Sequence, residues 1–109
     1  MKKLFLIFVV ACFAAACGTT NTITTETLKV EGLCSQCKTR IENAALGIEG
    51  VTKAEWDVDT KILALEFDSA KTKLDNISKA IAIVGHDTEK DKADDEVYDS
   101  LPGCCKYRG

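Results

Sequence analysis

The chain has 109 residues, 14 basic and 17 acidic, giving a formal net charge of −3 at pH 7, with one proline, one histidine and six cysteines. That length fits one small domain. The acidic balance argues against nucleic acid as a partner, because such binding rests on a basic face.

Met1-Lys2-Lys3 is a short basic start, and Leu4 to Cys17 is a run of apolar or small residues. The run is too short to span a bilayer core of roughly 30 Å as a helix. Basic start, apolar middle and Ala14-Ala15-Ala16 before Cys17 describe an export signal over residues 1–17. Small residues directly ahead of a cysteine resemble the bacterial lipoprotein signal, although Ala14 stands where such signals usually carry Leu. Cleavage there leaves Cys17 first, and the resemblance makes it the lipidated residue of a membrane-anchored, periplasmic protein. Residues 18–26 are polar and Thr-rich and read as a tether with a typical reach of roughly 17 Å.

Residues 27–90 read as β-α-β-β-α-β. Leu28 and Val30 alternate with Lys29 and Glu31, a half-buried strand over about Thr25–Glu31 that Gly32 ends. Cys37, Ile41, Ala44, Ala45 and Ile48 then recur at helical spacing, which predicts a helix over about Ser35–Ile48 with Ser35 as its N-cap. Strand two, about Val51–Val58, places Ala54, Trp56 and Val58 on one face. Asp59-Thr60-Lys61 is a turn signal, and strand three, about Ile62–Phe67, places Leu63, Leu65 and Phe67 on one face. Thr72-Lys73-Leu74-Asp75 has the capping-box pattern, followed by a helix face of Leu74, Ile77, Ile81 and Val84 closed by Gly85. A short strand over about His86–Glu89 completes the expected α+β, ferredoxin-like sandwich, with two helices on a four-stranded antiparallel sheet.

The chemistry centres on Cys34-Ser35-Gln36-Cys37, where strand turns into helix. Unpaired N–H groups and the positive end of the helix dipole stabilise a thiolate there. A lowered thiol pKa makes a cysteine a better ligand and a better nucleophile. The spacing alone leaves a metal site, a redox dithiol and a structural disulfide open.

More of the chain speaks to this choice. Cys34-x-x-Cys37, Arg40-Ile41-Glu42-x-Ala44, Gly50-Val51, Trp56-Asp57-Val58-Asp59, Phe67-Asp68, Ile77, Ala80-Ile81 and Gly85-His86 together resemble the heavy-metal-associated domain family. That family includes copper chaperones, copper-ATPase N-terminal domains and a periplasmic mercury-binding protein. The usual loop of the family, Gly-Met-x-Cys-x-x-Cys, is one residue longer and carries a Met that Gly32-Leu33-Cys34 lacks. The resemblance implies a soft-metal ion on Cys34 and Cys37, Cu(I) first, with Hg(II) or Zn(II) behind it. It also implies capture and transfer or sequestration rather than catalysis. Exchange partners would be a metal-transporting ATPase, an efflux protein or another thiol- or Met-rich carrier. In this family the loop position of His86 faces the metal loop and tunes release, so His86 joins the candidate metal-site residues.

The tail, residues 91–109, lies outside that module. Ala93, Val97 and Leu101 predict a short helix over Lys92–Leu101, and Pro102-Gly103 turns the chain into Cys104-Cys105. A last strand running about 13 Å from the metal end, then a helix returning a similar distance, brings Cys104 and Cys105 back toward Cys34 and Cys37. Gathered thiols suit tetrahedral Zn(II) or a small Cu(I) cluster. The cluster Asp91, Asp94, Asp95, Glu96 and Asp99 reads as a solvated helix face. The alternative function is a periplasmic thiol–disulfide redox protein using Cys34/Cys37 and Cys104/Cys105. Against it, a thioredoxin-type site has an aromatic residue before the cysteine pair and a cis-proline opposite, whereas Leu33 stands in the first place and Pro102 lies in the tail.

Overall fold

Alternating apolar residues set the sheet. The computed structural model describes residues 22–109, and within them β1 spans Ile23–Lys29, β2 Val51–Trp56 and β3 Ile62–Asp68, in the order β1-β3-β2. Both pairings are antiparallel, with Leu28 opposite Leu63 on one side of β3 and Trp56 opposite Leu63 on the other. Leu63, Leu65 and Phe67 point into the core as their alternation requires. Helix α1, Ser35–Leu46, buries Cys37, Ile41 and Ala45, and α2, Leu74–Ile83, buries Ile77, Ser78, Ile81 and Ala82. The two helices pack on each other, α1 against β2 and α2 against β1. No helix of the described residues is long and apolar enough to cross a membrane.

Four sequence expectations are corrected here. The fourth strand over His86–Glu89 does not form, and an isolated antiparallel bridge between Val30 and Thr88 stands in its place. Glu31 N donates to Asp87 O (2.9 Å) and Glu89 N to Lys29 O (3.0 Å), but pairing stops there. Thr88 is the cause: its hydroxyl accepts from Lys90 N (3.0 Å) and Asp91 N (2.9 Å) and turns the backbone away from the ladder. The first strand begins at Ile23, so Ile23–Glu26 belong to the sheet rather than to the tether. The N-cap of α1 is Cys34 and not Ser35, and α2 is capped by Lys73, with no side-chain capping bond at either end. Thr72 instead accepts from Asn76 Nδ2 (3.4 Å). The expected signal over residues 1–17, with Cys17, and the first part of the tether lie outside the described residues.

The tail helix is shorter than its apolar spacing suggests. Only α3, Asp95–Asp99, and a 3-10 turn, Gly103–Cys105, form. Ala93 is pinned instead by its N–H donating to Asp87 Oδ1 (2.7 Å) and its carbonyl accepting from Arg108 Nη2 (2.8 Å). Tyr98, Leu101 and Cys105 nevertheless enter the core beside Ile77 and Ile81. Gly85 permits this: its φ of +110° suits glycine, and a Cβ there would stand 2.9 Å from Leu101 Cδ2.

Candidate metal centre

Trp56 supports the metal loop from beneath. Its indole donates to Val30 O (3.0 Å), and its ring lies where a Cβ on Gly32 would meet it at 3.0 Å, so the loop crosses the ring with glycine in contact. Lys61 Nζ donates to Gly32 O (2.6 Å) and sits 5.6 Å from the indole. Glu42 accepts from Trp56 N (2.8 Å) and from Lys38 Nζ (2.6 Å), tying α1 to the end of β2. The loop that ends at Cys34 is therefore held at both of its flanks.

The Cys34 sulfur sits at the N-terminus of α1, where no side chain makes a capping hydrogen bond. The N–H of Cys37, with help from Cys104, Cys37 Sγ and the Gln36 N–H, lowers the Cys34 pKa to about 6. Burial works the other way on Cys37, which is fully covered and pushed up to about 11. One thiol is therefore ionised at neutral pH and its neighbour holds its proton.

The tail does return. Cys34 Sγ lies 3.6 Å from Cys37 Sγ, 3.4 Å from Cys104 Sγ and 3.7 Å from Cys105 Sγ, while Cys104 and Cys105 are 4.0 Å apart. The sulfurs of Cys34, Cys104 and Cys105 all fall within 4.8 Å of one another, and none of the four described cysteines is in a disulfide. Cys104 is exposed and Cys105 is buried, and both have raised pKa values, the first chiefly through Cys34 and the second through burial. Adjacent cysteines reach one cluster because the 3-10 turn curls Gly103–Cys105, where extended backbone would send the side chains to opposite faces.

His86 does not join that group. It is completely buried, its Nδ1–H donates to Glu31 O (2.8 Å), and Nε2 has no partner among the described residues. Burial lowers its pKa and keeps the ring neutral. Its place is thus behind the loop, fastening the strand that leads into Gly32.

Several residues with no predicted role also touch the centre. Arg40 Nη1 lies 3.4 Å from Cys105 Sγ, and Gln36 Oε1 accepts from Cys104 Sγ at 3.3 Å. Their spacing of four on α1 places both on one helix face, a signal that gains meaning only once the tail is known to pack there. Arg108 anchors the tail through two contacts to Asp87 (3.1 and 2.8 Å) and one to Asp95 (2.9 Å).

Comparison with known proteins matches residues 27–87 to the family described as "Heavy-metal-associated domain". The mercuric transport protein periplasmic component of Pseudomonas aeruginosa is 35% identical over 88 residues, covering 79% of this chain and 93% of that protein. The copper chaperone CopZ of Staphylococcus epidermidis is 31% identical over 68 residues, 62% of this chain and all (100%) of that one. Among solved structures, a CopZ metallochaperone superposes with a TM-score of 0.58 at 32% identity, covering 60% of this chain and 98% of its own. Oxidised MerP from Ralstonia metallidurans gives 0.53 at 29% identity, covering 61% of this chain and 96% of its own. These relatives are named as metal carriers and not as enzymes. The chain belongs to the heavy-metal-associated domain family.

Proposed function

We propose that this protein captures a soft metal ion outside the cytoplasm on Cys34 and Cys37 and passes it on, or sequesters it, by thiol exchange. The observation that carries the reading is the pair of sulfurs 3.6 Å apart at an uncapped helix N-terminus, one of them with a pKa near 6. An ionised thiol captures the ion first, and the buried thiol of Cys37 closes on it with release of its proton. Soft sulfur donors select ions such as Cu(I), Hg(II) and Zn(II) over hard ones, and the family resemblance puts Cu(I) first. The mercuric and copper relatives support the same range of cargo.

Export rests on the residue 1–17 pattern and on a relative named as a periplasmic component. Lipidation at Cys17 would keep the domain at a membrane surface on the periplasmic side. A copper-binding domain of a P-type ATPase shares the fold at 26% identity with a TM-score of 0.57. It supports a metal-transporting ATPase, or another thiol- or Met-rich carrier, as exchange partner. His86, buried behind Glu31, would tune release by holding the loop rather than by binding the ion.

The test is an anaerobic Cu(I) titration of the reduced protein against a competing chromogenic chelator. Cys34→Ser/Cys37→Ser is expected to abolish tight binding. If reduced wild type binds no soft metal and its thiols instead re-pair at a measurable potential, the redox alternative replaces this reading.

A further inference from the structure

Two-cysteine loops satisfy a low-coordinate ion, yet this chain gathers four sulfurs. We propose that Cys104 and Cys105 are the third and fourth ligands of a tetrahedral tetrathiolate site, which fits a four-coordinate divalent ion of the Zn(II) and Cd(II) class. The inference rests on the soft-metal reading of Cys34 and Cys37 and extends it to coordination number and cargo.

Geometry carries it. A tetrahedron of sulfurs with metal–sulfur bonds of about 2.3 Å has edges of about 3.8 Å, whereas two sulfurs in line across such an ion stand about 4.6 Å apart. Four of the six sulfur–sulfur separations are 3.6, 3.4, 3.7 and 4.0 Å, around the tetrahedral edge and well short of the linear span. Cys37 falls outside the group of Cys34, Cys104 and Cys105 whose sulfurs all lie within 4.8 Å of one another, so its side chain turns in to complete the tetrahedron when the ion binds. Cys37 and Cys105 are wholly covered and make the floor, while exposed Cys104 and half-buried Cys34 make the rim through which an ion enters. Four thiolates leave a divalent centre with two excess negative charges. Arg40, 3.4 Å from Cys105, sits where its fixed positive charge offsets part of that excess. Gln36, now accepting from the Cys104 thiol, can turn its amide to donate once that proton has gone to solvent.

The tail is built to hold this position. Cys105 packs in the core with Tyr98 and Leu101, and its N–H donates to Pro102 O (2.9 Å). Arg108, packed over the Tyr98 ring at 4.3 Å, ties the end of the chain to Asp87 and Asp95. These contacts fix the two tail thiols without help from an ion.

Cd(II) alone, titrated into the reduced protein, tests the proposal, because sulfur-to-cadmium charge-transfer absorbance per bound ion scales with the number of thiolates. Cys104→Ser/Cys105→Ser is expected to lower that absorbance about twofold, four donors becoming two. Cys104→Ser alone alters only the exposed rim, so it guards against a folding failure; it should lower the absorbance by about a quarter with circular dichroism unchanged. Equal absorbance in wild type and both tail variants, with Cu(I) binding through Cys34 and Cys37 intact, overturns the tail's role and leaves the proposed function standing. Binding of neither Cd(II) nor Cu(I) by reduced wild type overturns the soft-metal reading, and this inference falls with it.

Discussion

Tyr107 lies stacked on His86, with ring centroids 5.5 Å apart and planes inclined by 21°, so the end of the chain covers the loop behind the metal centre. The Tyr107 hydroxyl completes the contact by donating to Gly85 O (2.6 Å) and accepting from Asp87 N (2.8 Å). Tyr107→Phe keeps the stack and strands both backbone groups, one of them beside buried His86. The expected loss of stability is about 1–3 kcal/mol, read as a shift in the urea midpoint with an unchanged slope. An unshifted midpoint would show that water replaces the hydroxyl at no cost.

Acid should loosen the tail. Burial raises the Asp87 pKa, but the Arg108 guanidinium and the Ala93 N–H together outweigh it and hold the carboxyl below the usual carboxylate range. A depressed folded pKa means the unfolded chain binds the proton more readily. The stabilisation is therefore complete above about pH 4 and is lost as pH falls through the folded value. Arg108→Ala should lose stability at pH 7 and show a shallower decline than wild type between about pH 5 and pH 2. Parallel acid profiles would count against the Asp87–Arg108 pair as the anchor.

The two loop thiols should label unequally. With Cys34 lowered to about 6 and Cys37 raised to about 11, iodoacetamide should modify Cys34 of the reduced, metal-free protein first, with a rate that rises through a midpoint near pH 6. Cys37 should stay unlabelled at neutral pH by mass spectrometry. Equal labelling of the two would show that the helix terminus does not favour a thiolate on Cys34.

Gly32→Ala is expected to harm both fold and site. Its Cβ would stand 3.0 Å from Cys37 Cβ and 3.0 Å from the Trp56 ring, and neither neighbour is the free end of a flexible chain. A cost of about 1–3 kcal/mol follows from such overpacking, together with weaker Cu(I) retention because the loop shifts relative to Cys37. Wild-type melting and retention would mean that the indole moves aside.

Residues close in the chain were the most legible. Periodicity located both helices, β3 and the placement of Cys34 before, and Cys37 within, the first turn of α1. It failed where a side chain outcompeted the ladder: Thr88 carries good strand neighbours, yet its hydroxyl binds Lys90 N and Asp91 N and leaves a single bridge. Val58, expected on the strand-two face, is 40% exposed because β2 ends at Trp56. The return of Cys104 and Cys105 followed from element lengths, although neither the full strand nor the full helix behind that estimate forms. Arg40 and Gln36 were not legible as neighbours of the tail thiols, since both contacts span more than 60 residues.

The separation in sequence between the two cysteine pairs has a thermodynamic consequence. Cys34 and Cys104 are 70 positions apart. An ion gripping both pairs would close nearly the whole domain into one covalently continuous ring, restricting the unfolded chain as a long-range disulfide does. For a loop of that length the entropic effect is on the order of 4 kcal/mol. Cargo would then act as a removable staple: the loaded chain resists unfolding and proteolysis, and giving up the ion returns the chain to its ordinary turnover.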